Sequence, residues 1–198
     1  MTIFISLLVF YVAVVIHEFA HGWCAYKLGD PTAKYAGRLT LNPLAHIDPF
    51  GTIVLPLMLI MMRSPFIFGW AKPVPINFRN LGNRGNIALV GLAGPLANFA
   101  MAFLGSLLIK ANIFNNTGLY ILQLFVTLNL VLAVFNLFPL PPLDGSRILL
   151  GILPQGLIKY FVAIERYGFI ILFGLIWLGL FDFIIWPIVK SLIVILGI

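Results

Sequence analysis

Three histidines occur in the chain, and two of them stand as His17-Glu18-Phe19-Ala20-His21. On a helix, positions i and i+4 share a face, so both imidazoles point the same way and can offer nitrogen to one metal ion. Glu18 lies one position round the helix, within reach of a water on that metal but not placed to ligate it. This is the arrangement of zinc hydrolases. Catalytic zinc takes three protein ligands and keeps a position for water; it lowers the water's pKa to about 7, and a carboxylate then takes the proton as the water attacks a carbonyl. The group sits inside an apolar run that begins at the first residue. Ionisable groups are costly in a membrane span and mark function there. The competing reading is a hydrogen-bonded cluster between helices.

A third protein ligand is needed. Asp144 is the candidate, in the stretch NLFPLPPLDGSR from Asn136 to Arg147. Pro139, Pro141 and Pro142 interrupt regular helix, and irregular backbone at membrane depth must line a cavity or be buried in protein. Asp144 could instead cap a helix starting at Gly145. His46, followed by Asp48, is a rival that could ligate or make turn and cap bonds, while Asp182 reads as a membrane-edge residue near Trp186 and Pro187. Asn98 places a carboxamide in mid-span, where it could donate to an oxyanion, hold a substrate strand or bond to a neighbouring helix. Gly91, Ala93, Gly94 and Ala97 precede it and give a flat face for close approach. Cys24 is the single cysteine, so no intrachain disulfide forms, and it reads as a small buried hydrophobe.

The elements that must position these groups follow from composition. The chain has 198 residues, 62% hydrophobic and 9% charged, too little polar surface for a globule in water. The expectation is an all-α polytopic membrane protein forming one domain over 1–198, with a core over about 2–150 and one or two C-terminal helices within 151–198. Residues 2–26, 86–111 and 118–138 are long enough to span. The first is expected to be retained, since no basic residue precedes it and no cleavage site follows. Residues 30–49 suggest short interfacial strands, and 146–167 a loop with a short helix. For Asp144 to meet the histidines, spans one and three must run the same way. Residues 50–71, broken by Pro56, Arg63 and Pro65, should then dip and return rather than cross, although a full span competes.

The net charge is +6, with basic residues spread singly through loops, a pattern of membrane topology rather than nucleic-acid binding. Lys27, Lys34, Arg38, Lys72, Arg79, Arg84, Arg147, Lys159 and Arg166 fall on the side of the histidines, against Lys110 on the opposite loop. That side is expected to be cytoplasmic, with the N-terminus outside.

Taken together, these residues resemble the site-2 protease family of intramembrane zinc metalloproteases over about residues 10–150. The carriers are His17-Glu18-x-x-His21, Gly94-Pro95-Leu96-Ala97-Asn98, Asn136 through Gly145 (N-x-x-P-x-x-x-L-D-G), and GWAKPVP at 69–75. The resemblance implies a three-span catalytic core holding one zinc ion on His17, His21 and Asp144, with Glu18 as base. It also implies a transmembrane protein or peptide as substrate, within the bilayer of a prokaryotic inner membrane. The form resembled is the minimal one, without PDZ or CBS domain. Edge strands at 34–41 or 72–79 are expected to pair with substrate, and 50–71 to act as a gate. The alternative is a membrane metal-binding or transport protein, or an inactive relative. The substrate, the regulator and the oligomeric state are not legible.

Overall fold

The computed structural model describes residues 2–63 and 69–198. Helix α1 spans Thr2–Lys27, α4 Arg84–Lys110 and α5 Asn116–Asn136. These three are long and apolar enough to cross a membrane. Each starts or stops where the sequence supplies a device. Asn83 and Asn115 cap α4 and α5, accepting the amide N–H of Asn86 and of Gly118, each at 2.9 Å. Gly29, at φ 105°, lets the chain leave α1 in a left-handed turn. Phe4, Phe103 and Leu107 stand exposed on α1 and α4, as expected for surfaces that meet lipid rather than water.

Helix α4 is the centre, packed against both α1 and α5. Asn98 donates to the Ala13 carbonyl of α1 at 3.2 Å, and His21 meets the Val90 carbonyl at 2.7 Å, so α1 and α4 are antiparallel. Asn98 also donates to Asn129 of α5, while Gly105 abuts Val126, so α4 and α5 are antiparallel too. Spans α1 and α5 therefore run the same way, as the shared site requires.

After α1 the chain makes one helical turn, α2 (Thr32–Tyr35), then a 3-10 turn at Pro43–His46. Asp48 caps the next segment through Gly51 N–H at 2.6 Å, and a wide helical turn at Pro49–Val54 runs into α3, Leu55–Met61. The whole apolar stretch Pro49–Met61 is 13 residues, about 20 Å at 1.5 Å per residue and short of a bilayer core. It then comes back. Trp70 N–H donates to the Gly51 carbonyl at 3.1 Å, Thr52 Oγ1 to the Trp70 carbonyl at 2.8 Å, and Lys72 N–H to the His46 carbonyl at 2.9 Å. Both ends of 50–71 thus lie side by side. A Cβ at Gly51 would collide with the Trp70 indole, which is why the two limbs can close here. Pro65 lies outside the described residues.

The described residues contain no strand, which corrects the expected interfacial strands. Thr32–Tyr35 is helical. Residues 71–77 have no regular secondary structure, and Pro73 and Pro75 have no N–H to give a ladder.

Beyond α5 come α6 (Asp144–Ile152), α7 (Gln155–Glu165) and α8 (Gly168–Trp177), with a 73° bend between the last two. Two helices therefore replace the expected loop. Helix α9 (Trp186–Leu196) follows a wide turn at Phe181–Ile185. Gly168 lies against Pro141, at the end of the bundle carrying Asp144, and Gly197 against Lys110, at the other end. Residues 168–198 thus pass from one end of the bundle to the other. Leu172, Leu180, Ile185 and Val189 share one core with Ala102, Val126 and Leu130.

Candidate metal centre

His17 and His21 project from α1 onto α4 at Gly94. A Cβ there would strike both imidazoles, so the small residue exists to admit them. Gly91, one turn earlier, admits α6, where its Cβ would meet the Arg147 Cβ at 2.9 Å. The flat face read from the sequence is thus filled at these two positions by rings and a helix. Both histidines are buried, each 6% exposed.

The outer ring nitrogens are already committed. His17 Nδ1 lies 2.6 Å from Asn98 Oδ1, and His21 Nδ1 lies 2.7 Å from the Val90 carbonyl. A carbonyl oxygen can only accept, so the Val90 contact makes His21 Nδ1 a donor. Asn98 is oriented in turn by its own amide nitrogen, which donates to the Ala13 carbonyl and, at 2.8 Å, to Asn129 Oδ1. Its oxygen therefore faces His17, whose Nδ1 must also donate. Asn129 Nδ2 closes the series on the Phe125 carbonyl at 2.8 Å. Asn98 and Asn129 are fully buried, so every polar atom in this series depends on its neighbour.

With both protons on Nδ1, each neutral imidazole presents a bare Nε2. These two nitrogens are 2.9 Å apart, and Asp144 Oδ2 lies 2.9 Å from one and 3.1 Å from the other. Three lone-pair acceptors thus face one another. One proton can bridge only one of these pairs, whereas a divalent cation relieves all three. Three ligand atoms on tetrahedral zinc, each at about 2.0–2.1 Å, stand roughly 3.3 Å apart. The donor set and its spacing fit zinc closely, and the Nδ1 hydrogen bonds are the outer support that metal-bound histidines use. Among the described residues, no other group of three such side chains converges.

Glu18 and Asp144 line a cavity of about 230 Å³ beside this triangle. Glu18 accepts the Val74 N–H at 2.7 Å, which fixes its carboxylate against the 71–77 segment. Asp144 is the first residue of α6, so its carboxylate is aimed inward by the turn of the Pro-rich loop. Its side chain remains 21% exposed, toward the cavity.

The remaining candidates lie elsewhere. His46 is fully buried away from the triad, with Nε2 donating to the Thr40 carbonyl at 2.9 Å. Asp48 is a cap, as one of its readings held. Asp182 sits in the wide turn before α9. Cys24 packs beside Ala25, Leu81 and Val90. Asn98 reaches the site, but both its N–H groups are committed, leaving neither for an oxyanion in this arrangement.

Two residues were missed. Asn129 carries the same signal as Asn98, a carboxamide in an apolar span, and went unread. Asp30 is wholly buried and receives Thr32 N–H and Oγ1–H, Asn77 N–H and Asn80 Nδ2–H. It ties the end of α1 to the 77–80 turn, which follows the 71–77 segment bonded to Glu18.

Comparison with known proteins shows the family. The profile of peptidase family M50 matches residues 108–176, which include Asp144 but not the histidines. The Bacillus subtilis protein named "Putative zinc metalloprotease YwhC" is 42% identical over 191 residues, covering 91% of this chain and 83% of its own length. "Putative zinc metalloprotease Rip2" of Mycobacterium tuberculosis is 33% identical over 138 residues, covering 68% of this chain and 51% of its own length. "Zinc metalloprotease MJ0392" of Methanocaldococcus jannaschii is 29% identical over 147 residues, 73% of this chain and 33% of its own length. The chain thus spans most of the first relative, half of the second and a third of the last. No solved structure matches.

Proposed function

The chain belongs to the site-2 protease family, peptidase family M50, and from that premise we propose that it hydrolyses peptide bonds of membrane-embedded substrates with one zinc ion on His17, His21 and Asp144. The observation that carries the proposal is the triangle of bare acceptors, Nε2, Nε2 and Oδ2, at 2.9–3.1 Å inside a cavity that Glu18 also lines. Zinc bound there supplies Lewis acidity, acidifying water and polarising the scissile carbonyl.

The chain's residues do the rest. Glu18, oriented by the Val74 N–H, accepts a proton from the attacking water and delivers it to the leaving nitrogen as the C–N bond breaks. Asn98 holds His17 in the tautomer that keeps Nε2 free, and Val90 does so for His21. Asp144 and Glu18 together balance a divalent charge. The substrate enters unwound, since a helix hides its carbonyls in its own hydrogen bonds. The 71–77 segment beside Glu18 offers the carbonyls of Pro73 and Pro75 but no N–H at those positions, so a substrate strand there would donate rather than accept. Residues 1–198 act as one membrane domain, supported by the core that α8 and α9 share with α4 and α5. The distribution of basic residues supports a site nearer the cytoplasmic face of a bacterial inner membrane.

The test is Glu18→Gln in purified protein. It should keep its zinc and lose cleavage of a membrane peptide by at least about a hundredfold. Cleavage that survives the change, or wild-type protein that binds no zinc, counts against the mechanism.

A further inference from the structure

Arg147 takes no part in the chemistry just described, yet it lines the same cavity as Glu18 and Asp144. It lies three residues after Asp144 on α6, so both side chains leave one face of that helix, one turn apart. Among the described residues that line the cavity, it is the only lysine or arginine. Its stem is pressed against Gly91 of α4. Its guanidinium carbon stands 5.1 Å from the centre of the Phe78 ring, which also lines the cavity. Nη2 donates to Glu165 of α7 at 2.7 Å. The Gly91 contact and the Phe78 ring therefore keep the guanidinium at the cavity wall.

Its capacity is not used up. A guanidinium has five N–H groups, and among the described residues Glu165 takes the one hydrogen bond it makes. That pair is partly open to solvent, with side chains 29% and 35% exposed, so it is weak and exchangeable. Helix α7, which carries Glu165, buries none of its own residues and is lightly held. The charge count points the same way. Two neutral imidazoles, Asp144 and Glu18 balance a divalent ion, so the charge of Arg147 is balanced by Glu165 alone, a partner that an incoming carboxylate can replace.

We infer that Arg147 is a specificity-determining residue that selects substrates presenting a carboxylate within about two residues of the scissile bond, the reach set by one helical turn of about 5.4 Å against about 3.3 Å per extended residue. This rests on the proposed peptidase reading. The carboxylate can be an acidic side chain or the C-terminus of a short membrane peptide; both accept two parallel N–H bonds from the fork. Glu165 competes for the same fork and sets how strongly the preference is expressed.

The experiment measures binding and cleavage separately. Zinc-loaded Glu18→Gln protein in lipid nanodiscs is titrated with dye-labelled transmembrane peptides bearing Glu, Gln or Lys two residues from a central Gly-Pro break. A second pair of peptides ends at that position with a free carboxylate or an amide. Either the Glu peptide or the free-acid peptide should bind about tenfold tighter than its neutral counterpart, and which pair discriminates identifies the source. Adding Arg147→Gln should remove the preference, Arg147→Lys should retain part of it, and Glu165→Gln should enlarge it. Equal weakening of charged and neutral peptides by Arg147→Gln would make the residue a plain tie between α6 and α7 and overturn the inference, as would equal binding of all peptides to the parent. The same peptides are then given to protein with Glu18 intact. Discrimination without cleavage sinks the peptidase reading alone; cleavage without discrimination sinks the role of Arg147 alone.

Discussion

Two carboxylates in this molecule have opposite surroundings, Asp30 wholly buried and Asp144 partly open to its cavity. Asp30 is surrounded by donors: two from Thr32, one from the Asn77 backbone and one from the Asn80 side chain. Asp144 is faced by two imidazole nitrogens whose protons sit on the far side of each ring, bound to Asn98 and Val90. The first site is electrostatically complete and ties loops together. The second is complete only with a cation. A carboxylate is thus structural or functional according to whether its neighbours bring protons or lone pairs, and the residue type alone does not say which.

Substitution should separate the two sites cleanly. The largest effect is expected for Asp144→Asn, with zinc content lost and cleavage down by about a thousandfold or more. The metal-free protein should keep or gain thermal stability, because an amide can donate to the bare Nε2 atoms. Zinc analysis and melting in detergent check this, and a loss of metal-free stability would make Asp144 structural after all. Next comes Asn98→Ala, which frees the His17 tautomer and should weaken zinc by about 10–100-fold in a chelator competition.

Asp30→Asn should do the reverse of Asp144→Asn, keeping zinc while costing about 2 kcal/mol of stability, since an NH2 then faces donors. Burial alone would raise the Asp30 pKa, but hydrogen bonds from Thr32, Asn80 and Asn77 outweigh it and hold it below its ordinary 3.8. A carboxylate with a depressed folded pKa stabilises fully above its unfolded pKa and loses that contribution as pH falls through the folded value. The gap in melting temperature between wild type and Asp30→Asn should therefore be constant near neutrality and shrink below about pH 4. A gap that widens in acid would contradict this assignment. The smallest effect is expected for His46→Asn, with zinc stoichiometry unchanged and a loss of about 1 kcal/mol for the bond to Thr40. Any fall in zinc content would return His46 to the site.

Much of the site was legible before the fold was known. His17, Glu18 and His21 follow from helical spacing, and Asp144 from the need for a third ligand on irregular backbone. The parity of the spans also followed, because a shared site dictates that α1 and α5 run together. The return of 50–71 was an argument from parity that the bonds at Gly51–Trp70 and His46–Lys72 now give in atoms. Strands were expected and are absent among the described residues; Thr32–Tyr35 is helical, and Pro73 and Pro75 remove ladder donors from 71–77. Asn98 was divided between an oxyanion donor and a packing bond. Its partners, Ala13 and Asn129, are 85 and 31 residues away, so no local pattern could reveal that both its protons are committed.

The sequence by itself determined the spans, the shared helical face of the two histidines and the chemical type of every donor, because these depend on composition and on the fixed 3.6-residue period of the backbone. Only the tertiary structure decided which ring nitrogen is bare, which carboxylate lacks proton donors and which histidine is left out. Those outcomes turn on contacts of a few ångströms between segments far apart in the chain. At Gly91 and Gly94 the absence of a single methyl group allows such contacts to form.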